Sequence, residues 1–445
     1  MQFNSTLFLF CFLPVFLAIY YLVPAKWRNL PLMLGSLVFY CLNADLWMLL
    51  PMVVLVLVGY LIGRHMDSLR TGGLFALCMV YFLFVLVFFK IYAGGKCLPI
   101  GISFYLFQIT AYLFSVYRNK IEPEKNLLHF STQILMFPKL LSGPIMDAGQ
   151  LQAQTASREY SGAEFHKGLR ELIVGLALKV LIANRLGGLW AQAAVVGYGS
   201  ISPVFAWLAL LAYAMRLYFD FYGYSMMAVG IGRMLGFRLP ENFDDPYASR
   251  SVSEFYRRWH ITLGAWFREF IYIPMGGNRK GLGRTVLNLL FVWALTGFWH
   301  GVGGNYLLWA AIIVTAVILE RLFLGKWLKK SHVLSRIYTV FVIMLSWVPF
   351  AIGDWGQMTA FFGRLFGITG ETVNPMDFVG QCRSFAWLLI AAVVLATPLP
   401  KMVARKLSKI RVLNGLMDVV LFVLFWITVY FIATSAQDPF LYFQY

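Results

Sequence analysis

Apolar runs long enough to cross a bilayer constrain this chain before any other feature does. They fall at 5–23, 30–43, 46–63, 74–92, 98–116, 166–189, 203–232, 285–300, 304–322, 337–354, 384–398 and 414–434. Many hold about 17–21 residues, the helical length that spans a hydrocarbon core. Backbone in lipid must satisfy its own hydrogen bonds, so these runs predict helices. Hydrophobic residues make up 60% of the 445, and charged residues only 13%. So few charges cannot dress a soluble surface over that much apolar material. The expected fold class is an all-α polytopic membrane protein with about 11–13 transmembrane or re-entrant helices.

No repeat, low-complexity tract or long linker interrupts the sequence, so we expect one integral membrane domain over 1–445. Within it, 1–127 supplies N-terminal spans and 128–236 a re-entrant segment with central spans. The stretch 237–322 supplies a cytoplasmic interfacial part and site-bearing spans, and 323–445 the C-terminal spans. The first run, STLFLFCFLPVFLAIYYLV, follows no basic stretch and precedes no small-residue cleavage site, so it reads as a retained span. HFSTQILMFPKLLSGPIMD (129–147) is apolar, but it carries Pro138, Lys139 and Gly143-Pro144. Both of its flanks need the cytoplasmic side, which predicts a re-entrant hairpin covered by protein, with an amphipathic surface helix as the alternative.

The net charge of +17 does not point to nucleic acid. Membrane proteins gather Lys and Arg in cytoplasmic loops. Segment 321–336 holds Arg321, Lys326, Lys329, Lys330 and Arg336, and segment 401–411 holds Lys401, Arg405, Lys406, Lys409 and Arg411, with no acid in either. Both are placed on the cytoplasmic side, as is 233–284 with nine basic and five acidic residues. The uncharged 190–203 suits the outside, and threading these constraints puts both termini outside. The five cysteines (Cys11, Cys41, Cys78, Cys97 and Cys382) are scattered without a CxxC pair and read as small core residues.

Chemistry concentrates at two histidines, each preceded by tryptophan: Trp259-His260 and Trp299-His300. His65, His129, His166 and His332 lie by polar residues at span ends and read as interfacial. His300 sits in GFWHGVGG (297–304), between two apolar runs. A satisfied core histidine is the bland alternative. Against it, ionisable groups inside membrane segments face cavities or pathways by default. Imidazole, with an ordinary pKa of about 6.5, also suits general-base work. Gly297, Gly301, Gly303 and Gly304 are expected to allow close backbone approach and to leave open space beside it. A metal site is not expected: no HxxxH or HExxH is present. No GxSxG elbow frames Ser103 or Ser142.

Lys139, Lys179, Arg216 and Asp220 are further buried polar candidates, and Arg216 and Asp220 stand four apart, where they could pair. GGNRKGLG (276–283) is basic and glycine-rich. It could cradle a phosphate-bearing donor, but it lacks the strand–loop–helix context, and a plain basic turn is the favoured reading.

Several long motifs, in order, resemble the membrane-bound O-acyltransferase family, most closely its bacterial alginate-type and peptidoglycan-type O-acetylases. They are GISFYLFQITAYLFSVYR (101–118), FPKLLSGPI (137–145), YFDFYGYSMMAVGIGRMLGF (218–237), ENFDDPYASRSVSEFYRRWHITLGAWFREFIYIPMGGNRKG (241–281), LTGFWHGVGGNYLLW (295–309) and PFLYFQY (439–445). The resemblance implies a ring-like helical core, thin at its centre, with a passage between a cytoplasmic donor side and an outer acceptor side. It implies that His300 is the catalytic histidine and His260 the second active-site position. Arg257, Arg258, Trp259, Trp299, Asn278, Arg279, Lys139 and Ser142 would line the site or hold the donor, with Lys280 beside Arg279. The implied donor is acetyl-coenzyme A or another acyl thioester. The implied acceptor is a polysaccharide hydroxyl outside a bacterial inner membrane, reached directly or through a partner with an SGNH-hydrolase-like fold. D-alanyl transfer to a wall polymer, a transporter without bond chemistry and an assembly scaffold are the alternatives. Tyr256 stands where this branch commonly has Trp, and Ala310 where Gly often follows Trp; both touch neighbours of the histidines.

Overall fold

The computed structural model describes residues 1–66, 72–91, 99–368 and 372–435. The 439–445 motif and Cys97 lie outside these, as does the side chain of Cys78. Among the described residues the chain is helical and has no strand; one isolated antiparallel bridge joins Phe243 and Trp259.

The helices in order are α1 (Phe8–Leu22), α2 (Asn29–Cys41), α3 (Leu46–His65), α4 (Gly72–Ile91), α5 (Ile102–Tyr117), α6 (Leu127–Leu135), α7 (Phe137–Leu140) and α8 (Ala148–Ala156). Then follow α9 (Gly162–Val196), α10 (Pro203–Met234), α11 (Val252–Arg258), α12 (Ile261–Phe267), α13 (Gly281–His300) and α14 (Gly304–Leu328). The last are α15 (His332–Ala351), α16 (Trp355–Leu365), α17 (Phe378–Leu395), α18 (Leu399–Leu407) and α19 (Arg411–Thr434). Eight of the described helices (α3, α9, α10, α13, α14, α15, α17 and α19) are long and apolar enough to cross a membrane. The runs at 5–23, 30–43 and 98–116 form the shorter apolar helices α1, α2 and α5. The protein is a multi-pass, all-α membrane protein.

The chain packs as two compact units. The first comprises Met1–Leu176, Gly223–Glu241 and Phe425–Tyr445. Its centre is a nest of aromatic rings around Phe137, with Phe16, Phe39 and Phe12 at 5.1, 5.4 and 5.5 Å between centroids. Phe137 begins α7, just past the break at Met136, whose ψ of 127° ends α6. The break is the one expected in 129–147, and side chains of the unit satisfy its backbone. Ser36 Oγ accepts from Phe137 N at 2.9 Å. The Gln108 amide brackets Met146, donating to its carbonyl at 2.9 Å and accepting from its N–H at 3.2 Å. Residues 130–146 are buried almost throughout.

In the same unit α9 and α10 cross on glycine. A Cβ built at Gly168 would stand 2.5 Å from the Gly230 carbonyl oxygen, and one at Gly175 would stand 2.6 Å from that of Gly223. Both helices use glycines seven residues apart, so one seam brings the backbones together; small residues serve membrane helix contacts in this way.

The second unit comprises Ala177–Tyr222 and Asn242–Leu424. Its buried charges pair between helices: Lys179 of α9 meets Asp220 of α10, with both side chains almost wholly buried. The Arg216 guanidinium lies over Gly187, where an added Cβ would stand 2.9 Å from its central carbon. Besides Arg216 at four-residue spacing on its own helix, Asp220 thus has Lys179 as an ion-pair partner on another helix.

Candidate active site

Burial separates the histidines. His260 and His300 are buried, whereas His65, His166 and His332 are exposed and His129 is intermediate. Both buried histidines lie in the second unit.

The segment before His260 is held by short-range chemistry. Ser251 caps α11, its side chain accepting from Glu254 N at 3.0 Å, while Glu254 Oε2 accepts from Arg250 N at 3.0 Å. This reciprocal arrangement satisfies donors that a helix start leaves unpaired. The helix ends at Trp259, and His260 follows with φ +47°, a left-handed conformation that side-chain-bearing residues seldom take. The surroundings enforce it. Asp244 N donates to Arg258 O at 3.0 Å, and Ile261 N donates to Asn242 O at 3.0 Å. Asn242 Oδ1 also accepts from the Thr262 hydroxyl at 2.6 Å. His260 thus stands at a pinned bend between α11 and α12. Phe221 covers its ring at 4.7 Å, nearly perpendicular. Burial pushes the His260 imidazole down to about 3, which keeps it neutral at physiological pH.

His300 is the last residue of α13. Its ring packs against Trp299 at 4.6 Å, Trp309 of α14 at 4.9 Å and Phe350 of α15 at 5.0 Å. The two tryptophan–histidine pairs come together here, since the Trp299 ring lies 6.4 Å from that of His260. Trp347 joins the other flank, 5.3 Å from Trp259 and 6.4 Å from Trp309. Both imidazoles therefore belong to one aromatic cluster, built by α11, α13, α14 and α15. Asn305, at the start of α14, donates to the Pro349 carbonyl at 2.9 Å and fixes α15 beside Phe350.

The glycines beside His300 do not leave open space. An added Cβ would meet the Tyr306 carbonyl oxygen at 2.9 Å and Ala310 Cβ at 3.0 Å from Gly297, the Tyr306 ring at 2.3 Å from Gly301, Asn305 Oδ1 at 2.3 Å from Gly303 and Trp355 at 3.0 Å from Gly304. Gly304 provides close approach between α14 and Trp355 of α16, and Gly297 and Gly301 provide that of α13 and α14. Ala310 fills that contact, and Tyr256 packs on Trp293 at 4.7 Å and Trp309 at 6.3 Å, so both unusual residues sit in the wall.

The remaining site candidates divide. Arg258 is engaged within its own segment, 2.8 Å from Glu254 and 3.6 Å from Asp244. Arg257, Asn278, Arg279 and Lys280 are exposed. The GGNRKG turn has φ +104° at Gly276 and +55° at Gly277, and Asn288 of α13 donates to the Gly277 carbonyl at 3.0 Å. Its glycines are thus required by the turn itself. Lys139 and Ser142 are buried in the first unit. Sequence reasoning missed Glu320, whose buried carboxylate accepts from the amides of Val252 at 2.6 Å and Ser253 at 3.0 Å at the start of α11. An acid at a span end was its only signal.

Residues 68–352 match the model of the membrane-bound O-acyltransferase family. The chain is 35% identical over 425 residues to a probable alginate O-acetylase of Azotobacter vinelandii, covering 89% of this chain and 84% of the relative. It is 30% identical over 434 residues to a peptidoglycan O-acetyltransferase of Helicobacter pylori, covering 83% and 81%. Over 243 residues it is 28% identical to a teichoic acid D-alanyltransferase of Bacillus subtilis, covering 50% and 58%.

Proposed function

The chain belongs to the membrane-bound O-acyltransferase family, and we propose that it moves an acetyl group from a cytoplasmic thioester to a hydroxyl of a cell-envelope polysaccharide. The donor in this reading is acetyl-coenzyme A. The acceptor lies outside a bacterial inner membrane, and an extracytoplasmic partner of SGNH-hydrolase-like fold relays the acetyl where transfer is not direct. Both chain termini face outside. The convergence of the two Trp-His pairs in one buried cluster carries this proposal, with the Trp299 ring 4.6 Å from that of His300 and 6.4 Å from that of His260. Its support in kind is the likeness to alginate and peptidoglycan O-acetylases.

In this reading His300 takes the proton of the acceptor hydroxyl while its oxygen bonds to the thioester carbonyl carbon. The C–S bond then breaks, and the proton on the imidazole passes to the departing thiolate. His260 stays neutral and orients the donor or gives a hydrogen bond to the developing oxyanion. Arg257, Arg279 and Lys280 are exposed cations suited to the donor's phosphates, and Asn278 lies between them in sequence. Arg258 serves to hold the segment.

The test is a His300→Ala variant, purified and shown to melt at the wild-type temperature, supplied with acetyl-coenzyme A, acceptor polysaccharide and partner. Transfer should fall by about 10²–10⁴. Wild-type activity would overturn the role of His300. Transfer of D-alanyl but not acetyl by the wild type would overturn the donor.

A further inference from the structure

The second unit carries a small basic helix whose position is set by its neighbours in the chain. α18 reads LPKMVARKL and has no buried residue. It joins α17, which ends at Leu395, to α19, which begins at Arg411, and both are long and apolar enough to cross a membrane. It therefore lies within a few residues of a bilayer surface at each end.

Its sequence has two faces. At the helical repeat of about 3.6 residues, Leu399, Met402, Val403 and Leu407 share one side, and Ile410 continues it. Lys401 and Arg405 lie opposite, and Lys409, past the helix end, falls at the edge of the apolar side next to Met402. Lys406 falls within the apolar side, between Met402 and Leu399, where its long stem can lie along lipid and carry the ammonium up to water. The apolar side chains are not packed away: Leu399 is 53% exposed and Met402 is 56%.

The cations differ in their partners. Lys401 Nζ pairs with Asp245 at 2.9 Å and stands 5.7 Å from the Tyr222 ring. Asp245 belongs to the pinned segment ahead of His260, so this pair fastens α18 to the rest of the unit. Among the described residues no carboxylate pairs with Arg405, Lys406, Lys409 or Arg411. Four uncompensated cations within seven residues, beside an exposed apolar stripe at a membrane surface, match the headgroup and acyl boundary of an anionic lipid.

We propose that α18 lies in the plane of the membrane surface and binds anionic phospholipid headgroups through Arg405, Lys406, Lys409 and Arg411, with the Lys401–Asp245 pair holding it in place. The full chain, purified in detergent, is titrated with phosphatidylglycerol and with phosphatidylcholine. Wild type should prefer phosphatidylglycerol by at least about tenfold, and the preference should shrink as salt rises. The variant R405Q/K406Q/K409Q should bind phosphatidylglycerol on the order of 10²-fold more weakly and phosphatidylcholine unchanged. If that variant is unstable, Arg405→Gln alone should weaken phosphatidylglycerol binding about fivefold. Three outcomes would overturn the proposal: equal binding of both lipids by wild type, an unchanged preference in the variants, or an equal loss in the matched variant K326Q/K329Q/R336Q.

Discussion

Ser253 gives both its backbone N–H and its hydroxyl to one oxygen of Glu320, at 3.0 and 2.7 Å. The other oxygen takes the Val252 N–H at 2.6 Å. A buried carboxylate within the long apolar helix α14 thereby replaces the missing acceptors at the start of α11. α11 leads directly into Trp259-His260, and α14, which carries Glu320, also carries Trp309 against His300. One side chain thus joins the supports of both imidazoles.

Glu320→Ala removes three accepted hydrogen bonds at a buried helix start. It should cost on the order of 2–3 kcal/mol. Thermal melts in detergent should show the loss, and acetyl transfer measured well below melting should fall with it. Glu320→Gln keeps a carbonyl acceptor for Ser253 and should recover part of both. Equal losses in the two variants would mean that the negative charge, and not the hydrogen-bond count, holds α11.

His260 makes a pH prediction whose direction follows from its burial. Its pKa falls to about 3 in the fold, against about 6.5 in an unfolded chain. Between these values the unfolded chain binds a proton that the folded one refuses, so stability rises with pH across that window and is lost as pH falls below about 6.5. The slope from one such group is at most about 1.4 kcal/mol per pH unit. Melting temperature followed from pH 7 to pH 4 should therefore drop less steeply in His260→Gln than in wild type. Parallel curves would show that His260 protonates freely in the fold.

The helical class and most spans were legible, and the two Trp-His pairs stood out, because these are local patterns of apolarity and residue type. The break inside 129–147 was legible from Pro138 and Gly143-Pro144, while the side chains that satisfy it, Ser36 and Gln108, come from elsewhere in the chain. What stayed hidden is pairing across helices. Asp220 has Arg216 at helical spacing, but its ion pair with Lys179 on another helix has no local pattern to announce it. Arg258 reads as a free cation until Glu254 and Asp244 are seen around it. The glycines near His300 read as room, because a sequence does not say whether the space beside a glycine is already filled.

Gly297 tests that last point. An added methyl would meet a backbone oxygen at 2.9 Å and the Ala310 methyl at 3.0 Å. Overpacking of this kind costs about 1–3 kcal/mol. Gly297→Ala should lower the melting temperature and reduce transfer by shifting Trp309 against His300. Adding Ala310→Gly removes the second contact and should restore part of each. If Gly297→Ala is as stable and active as wild type, the space beside Gly297 is open after all.

The Lys179–Asp220 pair separates charge from packing. Both side chains are almost fully buried, at 3% and 1% exposure. Removing one partner takes the opposite charge from the other at almost full burial, a cost of about 3–5 kcal/mol, whereas an apolar pair of similar volume is often neutral or better. Lys179→Met and Asp220→Leu should therefore each destabilise strongly, and the double variant should melt near or above wild type. If transfer also returns in the double variant, the pair only braces α9 against α10. If the stable double variant stays inactive, the charges themselves serve the reaction. A double variant as unstable as the singles would show that the ion pair, and not merely the matching of charges, holds the two helices together.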